Sequence, residues 1–129
     1  MSVVGVGAVA GVAQAQMAAA PAKKGIVLYC DLAVDPAREA EMLKHFYEVF
    51  RPGAAKFTGY RDLKMLKLRT LIQGGPPLAP GVKYRFQLTY ESEELRQIWV
   101  NSPEHAVLWP PIENTLVDKG YPVMLFDEA

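Results

Sequence analysis

His105, Tyr90, Trp99 and Trp109 are the residues whose types and spacing point to chemistry on a flat aromatic ligand. Tyr90, Trp99 and Trp109 offer ring faces for stacking together with O–H and N–H donors, and Tyr29 is a fourth aromatic of this kind. An imidazole titrates near neutrality, so His105 could serve as the base that takes a phenolic proton. Each of these residues also has a plainer reading. The aromatics can simply fill a core between helix and sheet. A histidine exposed in the first turn of a helix is chemically idle. His45 falls beside the apolar stripe of an earlier helix, where solvation is the expectation. Cys30 lies on an apolar strand face with no basic neighbour in sequence, as a buried small residue and not a nucleophile. Asp31 and Arg85 are placed to pair across a sheet, a structural role more often than a catalytic one.

Other chemistries find no support. There is no Ser-His-Asp spacing, no phosphate loop, no GxGxxG after a strand and no CxxC pair. Gly5-Val6-Gly7 lacks a following helix and carries no weight. A single cysteine excludes an internal disulfide framework and a multi-cysteine metal site, and two histidines far apart in sequence argue against structural zinc. No metal is therefore expected. The formal net charge is zero, so no basic surface announces nucleic acid.

The elements that must position these side chains follow from periodicity. At 129 residues the chain is long enough for one domain with a real core. Residues 26–34 place Ile26, Leu28, Cys30, Leu32 and Val34 on one face, as a first strand. Asp35-Pro36 is a helix start, and Met42, Leu43, Phe46, Tyr47, Val49 and Phe50 form an apolar stripe. Pro52-Gly53 is expected to interrupt that helix, with a further turn over Ala54–Phe57 before Gly59 resets the chain. Tyr60–Ile72 reads as a second strand, bounded by Gly59 and the Gly74-Gly75-Pro76-Pro77 run, although its pattern also permits a helix. A long loop, expected to be mobile, spans 73–81.

Lys83–Tyr90 alternates cleanly, with Tyr84, Phe86, Leu88 and Tyr90 on the core side. Ser92 then caps a helix carrying Leu95, Ile98 and Trp99. Ser102-Pro103 restarts it through His105, Val107, Leu108 and Trp109, and Lys119-Gly120 is expected to end it. Tyr121–Phe126 is a last short strand, at an edge because of Pro122. The order βαββαβ is that of a ferredoxin-like α+β fold, a four-stranded antiparallel sheet with helices on one face. Tyr29, Asp31, Arg85, Gln87 and Thr89 point away from the helices, onto a face that is either solvated or paired with a second subunit as a barrel.

Residues 25–127 resemble the antibiotic biosynthesis monooxygenase family of the dimeric α/β-barrel superfamily. The likeness rests on the first strand ending in Val34-Asp35-Pro36, on FRPGAAKFTGYRDLKMLK, on KYRFQLTYESEE and on WVNSPEHAVLW. These are packing and capping patterns, which speak to fold before activity. The resemblance implies a homodimer, and an oxygenase without a cofactor that oxidises phenols or quinols in a pocket between helices and sheet. A non-catalytic, ligand-binding or stress-related module with the same pocket is the alternative. A haem-degrading branch of the superfamily uses a first-strand asparagine, a tryptophan after the third strand and a helix histidine. Here those positions hold Asp31 and Tyr29, Tyr90 and Trp109, which argues against haem; His105 lies one turn too early.

Ahead of the domain, Ser2–Ala22 carries no charge and contains the small-x-small triplet Ala13-Gln14-Ala15. Residues 1–22 are thus expected to be a signal peptide, or a disordered leader outside the fold. Either an export signal whose start lies upstream places the protein outside the cytoplasm, or translation begins at Met17, the residues before it are not part of the protein, and the protein is cytoplasmic. The run is too short and glycine-rich for a good membrane-spanning helix.

Overall fold

The computed structural model describes residues 24–75 and 79–129. The leader, and with it the reading of an export signal, lies outside them, as do residues 76–78 of the long loop. Four strands form one sheet: β1 (Ile26–Val34), β2 (Tyr60–Lys67), β3 (Val82–Tyr90) and β4 (Val123–Asp127). Their order is β2-β3-β1-β4, and every neighbouring pair is antiparallel. That is the ferredoxin-like arrangement expected from the element order. The helices α1 (Glu39–His45), α2 (Arg51–Ala54), α3 (Glu93–Val100), α4 (Pro103–Leu108) and α5 (Pro110–Glu113) connect the strands.

Alternation in β1 and β3 explains the core. Leu28, Cys30, Leu32 and Val34 interleave with Tyr84, Phe86, Leu88 and Tyr90 on one face, all buried. Met42, Phe46 and Phe50, four residues apart, supply the facing stripe. Tyr47 and Val49 are exposed instead, because a stripe at this spacing covers only one side of the helix. Ile98 is exposed for the same reason, while Trp99 is buried.

Both serine caps form. Ser92 Oγ accepts from the Leu95 N–H and Ser102 Oγ from the His105 N–H. Asp35 accepts from the Ala37 N–H, and the helix begins there as a 3₁₀ turn. Pro52 does not interrupt the helix as expected. Between α1 and α2 the chain widens to a π turn over Phe46–Phe50, in which the Arg51 N–H reaches the Phe46 carbonyl. A proline at position 52 has no N–H for the carbonyl four residues back, and its ring would crowd that carbonyl in a regular helix. Gly59, at φ 96°, then turns the chain into β2 against the Leu95 side chain.

Two boundaries differ from the sequence reading. β2 stops at Lys67, because β3 begins only at Val82 and the Leu68 N–H bond to the Lys83 carbonyl is the last rung. The second helical segment ends at Glu113, well before Gly120. There Thr115, fully buried, donates its hydroxyl to the Ile112 carbonyl, and Leu116 bridges to Val34.

Candidate functional site

β3, α3 and α4 converge on a cavity of about 160 Å³ between the sheet and the second helical segment. Tyr90 enters from the end of β3, Trp99 from α3 and His105 from α4, while Trp109 follows one turn after His105; Phe86, Leu88 and Cys30 form the floor. The Ser102-Pro103 break produces this convergence. It redirects the chain so that His105 lies edge-on to Trp99, with centroids 5.5 Å apart, and parallel to Trp109 at 6.3 Å. Trp99 stacks on Phe57 at 4.5 Å, and Trp109 meets Phe86 edge-on at 5.1 Å. The walls are therefore rigid aromatic surfaces, suited to a flat ring.

The polar groups facing this space are few. Burial holds the His105 imidazole below its ordinary value of 6.5, which favours its neutral form. Neither of its ring nitrogens has a hydrogen-bond partner among the described residues. Tyr90 is 1% exposed, and burial raises its phenol well above the ordinary range. No described group hydrogen-bonds its hydroxyl, although among the described residues no buried side-chain nitrogen or oxygen is left without both partner and open space. The hydroxyl is free to meet a ligand in the cavity. Arg96 reaches the wall with its guanidinium held by Glu93 at 2.5 and 2.8 Å. Arg96, then Gln97, pulls the Glu93 carboxyl down to about 2.

Tyr121 closes the cavity on the side of β4. Its hydroxyl accepts from Trp109 Nε1 at 2.9 Å and donates to Glu113 Oε2 at 2.8 Å. Burial, with the Glu113 carboxylate second, pushes this phenol up to about 12.

Of the five residues singled out in the sequence, four therefore line one cavity. Tyr29 does not. It lies on the opposite face of the sheet, edge-on to Phe126 at 5.3 Å and beneath the Arg85 guanidinium at 4.8 Å. Strand parity separates it: odd positions of β1 face away from the helices. Asp31 and Arg85 pair on that outer face at 2.7 and 2.9 Å. His45 is not freely solvated, as its Nε2–H donates to the Leu108 carbonyl at 2.8 Å and ties α1 to α4. Cys30 is buried, and burial, with Asp31 second, pushes its thiol up to about 12, far from a nucleophile. Arg96 and Tyr121 were not read as site residues. Arg96 sits three residues before Trp99, the spacing that puts both on one helix face, which was the available signal.

Tyr90→Phe tests the open hydroxyl. A phenol already paired in the fold would cost about 1 kcal/mol of stability when removed. The expected result here is a change of less than about 0.5 kcal/mol by urea unfolding, with affinity for phenol falling roughly tenfold, the worth of one hydrogen bond to a ligand.

No family model and no curated relative matches the sequence. Solved structures do. A candidate antibiotic biosynthesis monooxygenase of Caulobacter crescentus superposes with a TM-score of 0.65 at 18% identity, covering 84% of this chain and 92% of its own. One of the same description from Bordetella bronchiseptica gives 0.66 at 14% identity, covering 82% and 98%. A monooxygenase from the ActVA-Orf6 gene of Streptomyces coelicolor, solved with the ligand nanaomycin D, gives 0.63 at 14%, covering 83% and 89%. The resemblance read in the sequence thus stands at the level of architecture: the chain has the ferredoxin-like α+β fold of the antibiotic biosynthesis monooxygenases.

Proposed function

We propose that the protein is a monooxygenase acting on a small aromatic phenol or quinol without a cofactor, and that it works as a homodimer. The observation that carries this reading is the single cavity in which Tyr90, Trp99, His105 and Trp109 meet around a space the size of a ring. Support also comes from the Streptomyces protein of the same fold, a monooxygenase solved with the ligand nanaomycin D. Neutral His105 takes the phenolic proton, and Tyr90 donates a hydrogen bond to the resulting oxyanion. The aromatic walls exclude water and hold the ring. The electron-rich phenolate then supplies the electrons to dioxygen. One oxygen atom forms a new bond to a ring carbon and the other leaves as water, so a phenol becomes a quinone with no outside reductant. Oxygen uptake with a panel of phenols and dihydroxybenzenes, using protein treated with chelator, tests this directly. Uptake above the buffer rate is expected, and none with any substrate would retire the reading.

The outer sheet face supports the dimer. Phe126 is 49% exposed there beside Tyr29, Leu66 is exposed as well, and β4 and β2 are open edges. Sedimentation at about 10 μM should give twice the 14.3 kDa chain mass; a species of monomer mass would contradict the pairing.

A second reading, a binding module without turnover, is favoured by one feature: among the described residues no carboxylate or carbonyl orients the His105 ring. It predicts that phenol raises the melting temperature while oxygen uptake stays at background.

A further inference from the structure

On the far side of the sheet edge lies a second hollow, about 580 Å³, bounded by Leu66, Leu68, Lys83 and Arg85. Tyr121 is the one residue, among those described, that lines both this outer groove and the inner cavity. It stands just before β4 begins, on the edge of β1 opposite β3, between the Pro122 carbonyl, which accepts from the Asp31 N–H at 3.1 Å, and Val117, whose N–H donates to the Ala33 carbonyl at 2.9 Å. At this margin of the sheet the tyrosine side chain stands between the two hollows. Its hydroxyl is latched by two bonds, one from Trp109 and one to Glu113.

We propose that Tyr121 is a size gate: latched by Trp109 and Glu113, it limits the inner cavity to single-ring phenols, and released, it joins the cavity to the outer groove and admits fused-ring ligands. This rests on the reading of the inner cavity as a ligand site. Size supports it, since an apolar cavity of about 150 Å³ takes up one benzene, and the inner space is of that order. A three-ring quinonoid needs more room than those walls leave. The groove supplies apolar surface at Leu66 and Leu68 for the further rings, and cations at Lys83 and Arg69 for their oxygens. The latch is the switchable part. A tyrosine held by one neutral donor and one carboxylate loses its charge-assisted bond when the carboxylate is removed.

The test measures phenol and alizarin, one ring against three fused rings, on the full-length protein. Ligand-observed NMR reads phenol binding, and displacement of bound phenol reads alizarin in the inner cavity. Wild type should bind phenol at least tenfold more tightly than alizarin. Tyr121→Ala should raise alizarin affinity at least tenfold and weaken phenol several-fold, reversing the order. Glu113→Gln, which keeps the side chain's shape and guards against a folding failure in the alanine variant, should raise alizarin affinity several-fold with phenol unchanged. Phenol binding with the same phenol-to-alizarin ratio in all three proteins would overturn the gate while leaving the cavity as a phenol site. Failure of phenol to bind wild type would overturn the site and the gate together.

Discussion

His105→Ala removes oxygen consumption with phenols, lowering the rate by about 10²–10⁴-fold, the range for loss of a positioned general base. The side chain is half-buried and its ring makes no hydrogen bond among the described residues, so the fold should survive the change. A rate within threefold of wild type would show that another group takes the proton. The pH profile supplies an independent check. Burial favours the neutral imidazole, so the folded-state value lies below 6.5. The unprotonated base is then favoured at neutral pH, and activity falls as pH drops through that lowered value. An acid limb centred at or above 6.5 would contradict a buried base. The alanine variant should lack this limb altogether, a readout that a structural role for His105 would not produce.

The largest effect on stability is expected at Phe50. Its side chain is 0% exposed and meets Phe46, Phe86, Trp99 and Trp109 within 6.5 Å. It joins the π turn to both tryptophans of the cavity, so its loss leaves a hole that the rigid rings around it cannot close. Phe50→Ala should cost about 3–5 kcal/mol in urea unfolding. At roughly 3–5 °C per kcal/mol for a domain of this size, the melting temperature should fall by about 10–25 °C. Phe50→Leu, which keeps most of the volume, should lose less than half of that. A loss under 1 kcal/mol for the alanine variant would mean that the aromatic cluster is loosely packed, and with it the cavity wall.

Strands and caps were legible in the sequence wherever a local rule decides alone. The bounds of β1, the alternation of β3 and the serine caps at 92 and 102 follow from period and side-chain chemistry. The misreadings share a cause, which is that distant partners settled them. Pro52 reads as a break, but packing of Phe46 and Phe50 on Phe86 keeps the helix running through a π turn. β2 ends where β3 stops offering rungs, which its own residues do not reveal. Tyr29 was grouped with the site aromatics, yet its odd position in β1 already assigned it to the other face. Ile98 completes a helical stripe on paper and faces solvent in the fold, because the sheet under α3 meets only the Leu95 and Trp99 side. Tyr121 escaped notice because its partners, Trp109 and Glu113, come from a helix end whose position depends on the buried Thr115.

The account depends on a phenolic ring occupying the space beneath α3 and α4. A crystal soaked with 4-bromophenol tests this most directly, since the anomalous signal of bromine locates the ring without bias. The expected peak lies between Trp99 and His105, with the phenolic oxygen within hydrogen-bond distance of Tyr90. Bromine found only in the outer groove or on the Tyr29 face, with the inner cavity empty, would contradict the account.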